Sequence, residues 1–280
     1  MRRLFSLSTF VIAVLTSSQA AAFPLTVHGV DSSCNCLYRI DVDAAGVATT
    51  TQIGPLGFGL VASMAVDAGG TIYAVSNSGG GQQQGQLLTI DKTTGAATLV
   101  GSGVGVVGGL AIAPVSVPGP LGTLPAGTLF GTRAAAGGSD ELIIIDKTTA
   151  ATTVVGQLNS SLGGLAFRQD GTLFGADLDA MTTGDMLCTI DTASGAVALI
   201  GILRPGLDVI GALAFTPAGE LLGSDIDPNA PKIFLIDQTN ARISHVVPLT
   251  GSSPQGMGAI SGFVTPVEPF TWGDMKRRYR

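Results

Sequence analysis

Histidine occurs twice in this sequence, at His28 and His245, tryptophan once, at Trp272, and cysteine three times, at Cys34, Cys36 and Cys188. That scarcity excludes several chemistries. A structural zinc ion needs four ligands at set spacings, and these cysteines and histidines do not supply the fourth. Neither histidine lies in a Gly-flanked loop beside a serine, and neither G-x-S-x-G nor HExxH occurs. A serine-nucleophile triad or a helix-borne zinc centre is therefore not expected. Charge is thin as well. Asp and Glu number 20 against 14 Lys and Arg, for a net charge of −6, and charged residues make up only 12% of the chain. An acidic chain repels phosphate backbones, so no nucleic-acid partner is expected. Low charge with 45% apolar residues is the reverse of a disordered composition. Beyond the N-terminal segment no apolar run is long enough to cross a bilayer, so no membrane span is expected.

The N-terminus has the three parts of an export signal. Arg2 and Arg3 are basic, Leu4 to Leu15 is mostly apolar, and Ala20-Ala21-Ala22 offers small residues before Phe23. Residues 1–22 read as a signal peptide, which predicts a secreted protein, extracellular or periplasmic. Export permits disulfides. Cys34 and Cys36 are close enough in sequence to bridge across Asn35 in a strained ring. Cys188 occupies a position that is apolar in every related segment and is expected to be a buried free thiol.

What the chain has in abundance is glycine, 40 residues of it, set among short β-branched runs. Leu87 to Gly101, LLTIDKTTGAATLVG, reads as one β-hairpin: an alternating strand, a turn ending in Gly95, and a returning strand. Copies begin at Leu37 (LYRID), Leu142 (LIIID), Leu187 (LCTID) and Ile233 (IFLID). The strand-ending aspartates Asp41, Asp91, Asp146, Asp191 and Asp237 are spaced 50, 55, 45 and 46 residues apart. Two further strands precede each hairpin, as in Gly164-Leu165-Ala166-Phe167 and Thr172-Leu173-Phe174-Gly175. A period of this length with four strands per unit predicts an all-β, five-bladed β-propeller with four-stranded blades. The first unit lacks its first strand, and Met257 to Phe263 is a first strand without a unit. Pairing the two closes the ring and hides the sheet edges. The propeller is expected to span residues 23–264. Residues 265–280, which hold Trp272 and the basic run Lys276-Arg277-Arg278, form a basic aromatic tail expected to be disordered. Within the propeller, Pro114, Pro118, Pro120 and Pro125 are expected to keep the insert Ala113 to Gly127 free of regular structure.

The succession GLAF, DGTLFG, LxxID, TG and a Val/Leu-Gly strand resembles secreted bacterial propeller repeats of the NHL and quinoprotein-like type. It covers about residues 24–264. The resemblance implies the propeller fold and leaves the activity open, because such propellers include sugar binders, protein-binding scaffolds, lactonases and quinone-cofactor dehydrogenases. Quinoprotein-like sheets usually carry a Trp in each repeat. These blades carry none, so no quinone cofactor is expected.

Two sets of aspartates are candidates for a role. The five that end the third strands suit a structural one, accepting backbone N–H groups in the turn that follows. The second set lies on the loops from second to third strand. It comprises Asp31, then Asp177 and Asp179, then Asp225 and Asp227, with Asp185 and Asp208 near by. Blades two and three hold Ser76 and Arg133 at the matching place. Ring closure makes blades four, five and one neighbours, so one sector gathers five carboxylates, the oxygen donors that Ca²⁺ requires. The expected function is a binding or scaffolding module, monomeric, for a protein or carbohydrate ligand. The alternative is a divalent-metal-assisted hydrolase or lactonase using that acidic sector.

Overall fold

The computed structural model describes residues 24–32, 34–78, 85–135, 139–177, 185–203, 210–216, 218–225, 230–249 and 257–262. The expected signal peptide and tail, together with Asp179, Asp208 and Asp227, lie outside the described residues. Among those described, every regular element is a strand and there is no helix.

Five four-stranded antiparallel sheets make a propeller. Blade one supplies β1 (Leu25–Asp31), β2 (Cys36–Val42) and β3 (Ala48–Pro55). Blade two has β4 (Val61–Val66), β5 (Ile72–Ser76), β6 (Gln86–Ile90) and β7 (Ala97–Ser102). Blade three has β8 (Val107–Ile112), a hairpin of β9 (Val117–Gly119) and β10 (Gly122–Leu124), then β11 (Leu129–Ala134), β12 (Asp140–Ile145) and β13 (Thr152–Gln157). Blade four has β14 (Leu162–Phe167), β15 (Leu173–Asp177), β16 (Met186–Ile190) and β17 (Val197–Ile202). Blade five has β18 (Ile210–Phe215), β19 (Leu221–Asp225), β20 (Lys232–Ile236) and β21 (Ile243–Pro248).

The last strand, β22 (Met257–Gly262), pairs with β1 and gives blade one the order β22-β1-β2-β3. The innermost strands touch in the cycle β22, β4, β8, β14, β18 and back to β22. The ring is therefore closed by the C-terminal strand, as the missing and surplus strands of the sequence require, and no inner edge is left unpaired.

The core lies between blades. Alternation along the third strand puts Ile40, Ile90, Ile145, Ile190 and Ile236 just ahead of the turns, and all five are buried. They belong to apolar clusters that each span neighbouring sheets. One joins Val75 and Leu87 of blade two to Leu110 and Ile143 of blade three. Another joins Phe174 and Leu187 of blade four to Leu213 and Phe234 of blade five. Burying a Leu, Ile or Phe side chain contributes about 1.5–3 kcal/mol, so stability resides in blade-to-blade packing rather than within one sheet. The outer strands are the most exposed, and leave Leu99, Val154, Leu199 and Val246 open to solvent. They also carry a glycine where the next blade's turn presses in: a Cβ on Gly101 would stand 2.7 Å from the Thr149 carbonyl oxygen.

Two expectations are corrected. The Pro-rich insert is ordered in part, as the two-stranded ribbon β9–β10, with Pro118 facing Thr123. Pro120-Leu121 forms a two-residue turn closed by the pair Gly119 and Gly122. The pair next to the closing pair is a non-hydrogen-bonded one, so the N–H that Pro118 lacks would have pointed outward, and the ribbon tolerates it. The second correction concerns Asp41. Four of the strand-ending aspartates do cap their turns. Asp91 Oδ1, for example, accepts the N–H groups of Thr93 at 2.7 Å and Thr94 at 3.0 Å. Asp41 does not, because β2 runs through to Val42. The turn of blade one is capped by Asp43, which accepts from Ala45 and Val47 at 2.9 Å each. Asp41 instead pairs with Arg39 at 2.7 Å.

Candidate functional site: an acidic mouth on one face of the ring

In all five blades the first and second strands slip register at the same place. The slips fall at Gly29/Asp31, Val61/Ser63, Gly131/Arg133, Leu162/Gly164 and Ile210/Ala212. Such a bulge twists the strand end and re-aims the residue beside it. That residue is Asp31, Ser76, Arg133, Asp177 or Asp225, so the register sets the three aspartates at equivalent corners of the ring. Across the third strand, Asp31 faces Cys36, Ser76 faces Gln86, Arg133 faces Glu141 and Asp225 faces Lys232. Blades three and five therefore carry opposite ion pairs at one level. Arg133 Nη2 meets Glu141 Oε2, and Lys232 Nζ meets Asp225 Oδ2, each at 2.7 Å.

A second ring of Asx residues stands at the same end of the blades. Asp140 and Asp185 sit just ahead of the apolar run of their third strands, five residues before Ile145 and Ile190. Asp140 Oδ2 accepts the backbone N–H of Leu162 at 2.9 Å, and Asp185 Oδ2 accepts that of Ile210 at 2.8 Å. Each donor is the first residue of the next blade. Asn35 does the same work for Leu60 at 2.8 Å, and Asn77 exchanges two 3.0 Å bonds with Val107. An Asx side chain thus fastens each blade-to-blade step that the described residues cover. The sequence reading noted Asp185 only as a neighbour and missed this role. The signal was available in the common offset of Asp140 and Asp185 ahead of their isoleucines.

Asp31, Asp140, Asp177, Asp185 and Asp225 are all buried, none more than 7% exposed. Burial disfavours the charged form. It pushes the Asp185 carboxyl up to about 6, and the fields of Asp177 and Asp225 add to the effect, against the pull of the Ile210 N–H. Burial raises Asp140 too, with Asp177 adding. Cys188, a free thiol as expected, is pushed up to about 12 by burial and by Asp177, and its Sγ donates to the Gly175 carbonyl at 3.3 Å. On the blade-one side Asp31 acts on Cys36, which burial carries to about 12. The carboxylates that sense one another are therefore Asp140, Asp177, Asp185 and Asp225, across blades three to five. One oxygen of Asp185, Oδ1, is buried without a hydrogen-bond partner. Among the described residues no three His, Cys, Asp or Glu side chains gather closely enough to hold one ion. The arrangement can stabilise positive charge at Asp185 and exchange a proton there near neutral pH.

No family model matches the chain, and no curated protein matches it. Solved structures overlap it weakly. A calcium-binding protein, regucalcin, from Agrobacterium tumefaciens is 14% identical over 80% of this chain and 74% of its own, with a TM-score of 0.44. TolB from Acinetobacter baumannii is 13% identical over 86% of this chain and 67% of its own, at 0.48. A putative gluconolactonase is 12% identical over 85% of this chain and 81% of its own, at 0.47. Likeness at this level carries no argument about activity, and the five-bladed propeller rests on the strand order and the closed cycle of inner strands.

Proposed function

We propose that this propeller is a binding module that takes a cation, or the cationic part of a ligand, at the acidic mouth. The observation that supports this reading is the buried, unpartnered Oδ1 of Asp185, set within the fields of Asp177 and Asp225. An unpaired buried oxygen in such a field is costly, and a bound cation relieves both costs at once. Ca²⁺ is the simplest occupant, since it takes six to eight oxygens in flexible geometry. The proposed donors are Asp185 and Asp177, with the other aspartates of the sector, Asp31 and Asp225, and with Asp179 and Asp227, two residues after Asp177 and Asp225 in the sequence. Affinity in the millimolar range, about 10⁻⁴–10⁻³ M, fits an exported module. Export belongs to the same proposal, and N-terminal sequencing of the purified protein should find Phe23 first. Calorimetry with Ca²⁺ on metal-stripped protein should give saturable heat and a Ca²⁺-dependent rise in Tm. Both should be lost in Asp177→Asn/Asp185→Asn. An absence of heat in the parent, or equal heat in both, overturns the reading.

A second reading, a divalent-metal-assisted hydrolase or lactonase, is favoured by the titration of Asp185 near 6, the range in which a carboxyl serves as a general acid or base. Metal-dependent turnover of a lactone that falls at least a hundredfold in Asp185→Asn would establish it. Turnover that is absent, or unchanged in the variant, removes it.

A further inference from the structure

On the face opposite the acidic mouth, the turns of blades four and five enclose a cleft of about 770 Å³. Arg168 reaches it from the turn after β14, Glu220 from the turn after β18, and Arg242 and His245 from the β20–β21 hairpin, with Leu235 on the face toward blade one and Ile243 on the face toward blade four. Two observations set this cleft apart from an ordinary solvated surface.

The first is a cation in no close ion pair. Of the four arginines among the described residues, Arg39, Arg133 and Arg168 each hold a carboxylate at 2.7 Å. Among the described residues Arg242 makes no ion pair and no side-chain hydrogen bond, although its field reaches Asp237. Its neighbour Asp237 is committed elsewhere, Oδ1 to the Thr239 N–H at 2.8 Å and hydroxyl at 2.7 Å, and Oδ2 to Asn240 at 2.8 Å. A guanidinium is a planar fork whose geometry matches a carboxylate.

The second is a departure from the repeat. His245 has a φ of 50°, in the left-handed region. The residues at the same place in the other outer strands, Gln52, Leu99, Val154 and Leu199, do not have positive φ. Gly54, Gly101, Gly156 and Gly201 admit the next blade's turn against their blades, and blade five has Val247 there instead. His245 stands two residues before Val247 and lines the cleft. Strained non-glycine residues collect where a ligand is held.

We propose that this cleft binds an organic carboxylate, its carboxylate on the Arg242 guanidinium and its apolar body over Leu235, with His245 at the rim. The volume argues for an organic body, since an inorganic anion fills only a small part of it. Glu220 limits affinity, because its partly buried carboxyl repels a ligand of the same sign.

The test uses the full-length mature protein and 2-naphthoate as the probe, followed by calorimetry, with 2-naphthamide and inorganic phosphate as comparisons. Naphthoate should bind at least tenfold more tightly than the amide. Arg242→Met, which keeps the apolar stem, should lose that tenfold preference with an unchanged Tm, since Arg242 is exposed and unpaired. Glu220→Gln should tighten naphthoate severalfold. His245→Gly should melt higher and bind naphthoate at least threefold more weakly. Equal binding of naphthoate and its amide, no heat with naphthoate, or an unchanged Arg242→Met overturns the proposal. Phosphate that competes as well as naphthoate also overturns it, by reducing the cleft to a simple anion site.

Discussion

The carboxylate of Asp185, in blade four, holds the backbone N–H of Ile210, the first residue of blade five, at 2.8 Å. The bond keeps two sheets in register while burying a group that resists ionisation. Its consequence for acid stability has a definite sign. The folded form holds the Asp185 proton up to about pH 6, against an ordinary value of 3.8. A raised carboxyl makes the folded state bind more protons, so stability falls as pH rises from about 4 through 6 and levels off above. The capping aspartates act in the opposite sense. Asp146, held down to about 2 by the hydroxyl and N–H of Thr148, contributes stability that is lost between about pH 4 and 2. Thermal melts should therefore peak near pH 4 to 5, and Asp185→Asn should flatten the decline towards pH 7. A wild-type Tm that climbs steadily from pH 4 to 7 would contradict this.

Lys232 is the counter-charge of Asp225, whose side chain is 0% exposed. Replacing Lys232 by Met takes the positive charge away from a buried carboxylate, at a cost of about 3–5 kcal/mol in urea unfolding. Asp225→Asn/Lys232→Met should recover most of the loss. A double variant no more stable than the single one would mean that Lys232 acts by packing alone.

The outer-strand glycines are required by the neighbouring blade. Gly101→Ala places a methyl 2.7 Å from the Thr149 carbonyl oxygen and 2.8 Å from the Ala150 Cβ, and should cost about 1–3 kcal/mol. Gly59→Ala is the control. Its Cβ would meet only Ser78, at 3.5 Å, and the expected change is within about half a kcal/mol. Equal effects of the two substitutions would refute the close approach.

Ile190→Ala should cost about 2–5 kcal/mol, since the side chain is buried between blades three and four. Removing residues 257–280 should lower Tm far more than removing 265–280, because only the longer deletion takes β22 from β1. Circular dichroism of the two truncations distinguishes a lost strand from a destabilised ring.

The ring was legible in the sequence because it is a repeat. Each LxxID segment reports the same buried isoleucine and the same turn, and the errors in any one copy are corrected by the other four. Reading failed where a copy departs from the pattern. Asp41 looks like its counterparts, but Asp41-Val42 lengthens the strand by two residues and moves the cap to Asp43. Each proline of the insert taken singly excludes a strand, although only its register within a hairpin decides whether the missing N–H matters. The acidic face was half legible. The common position of Asp31, Asp177 and Asp225 follows from strand alignment. The pairing of Asp225 with Lys232, and the reach of Asp140 and Asp185 into the next blade, depend on which way side chains leave bulged strands, and local sequence does not encode that.

Because β1 receives its inner partner from Met257–Gly262, the first sheet stays three-stranded until the last tenth of the chain has been made. At about 5–20 residues per second, its open edge is presented for on the order of ten to fifty seconds during translation. Blades two to five arrive with all four strands contiguous and need no such wait. An interrupted product would carry four complete sheets and one exposed edge, a template on which unfinished copies can pair. The first sheet can therefore close only once Gly262 has been made.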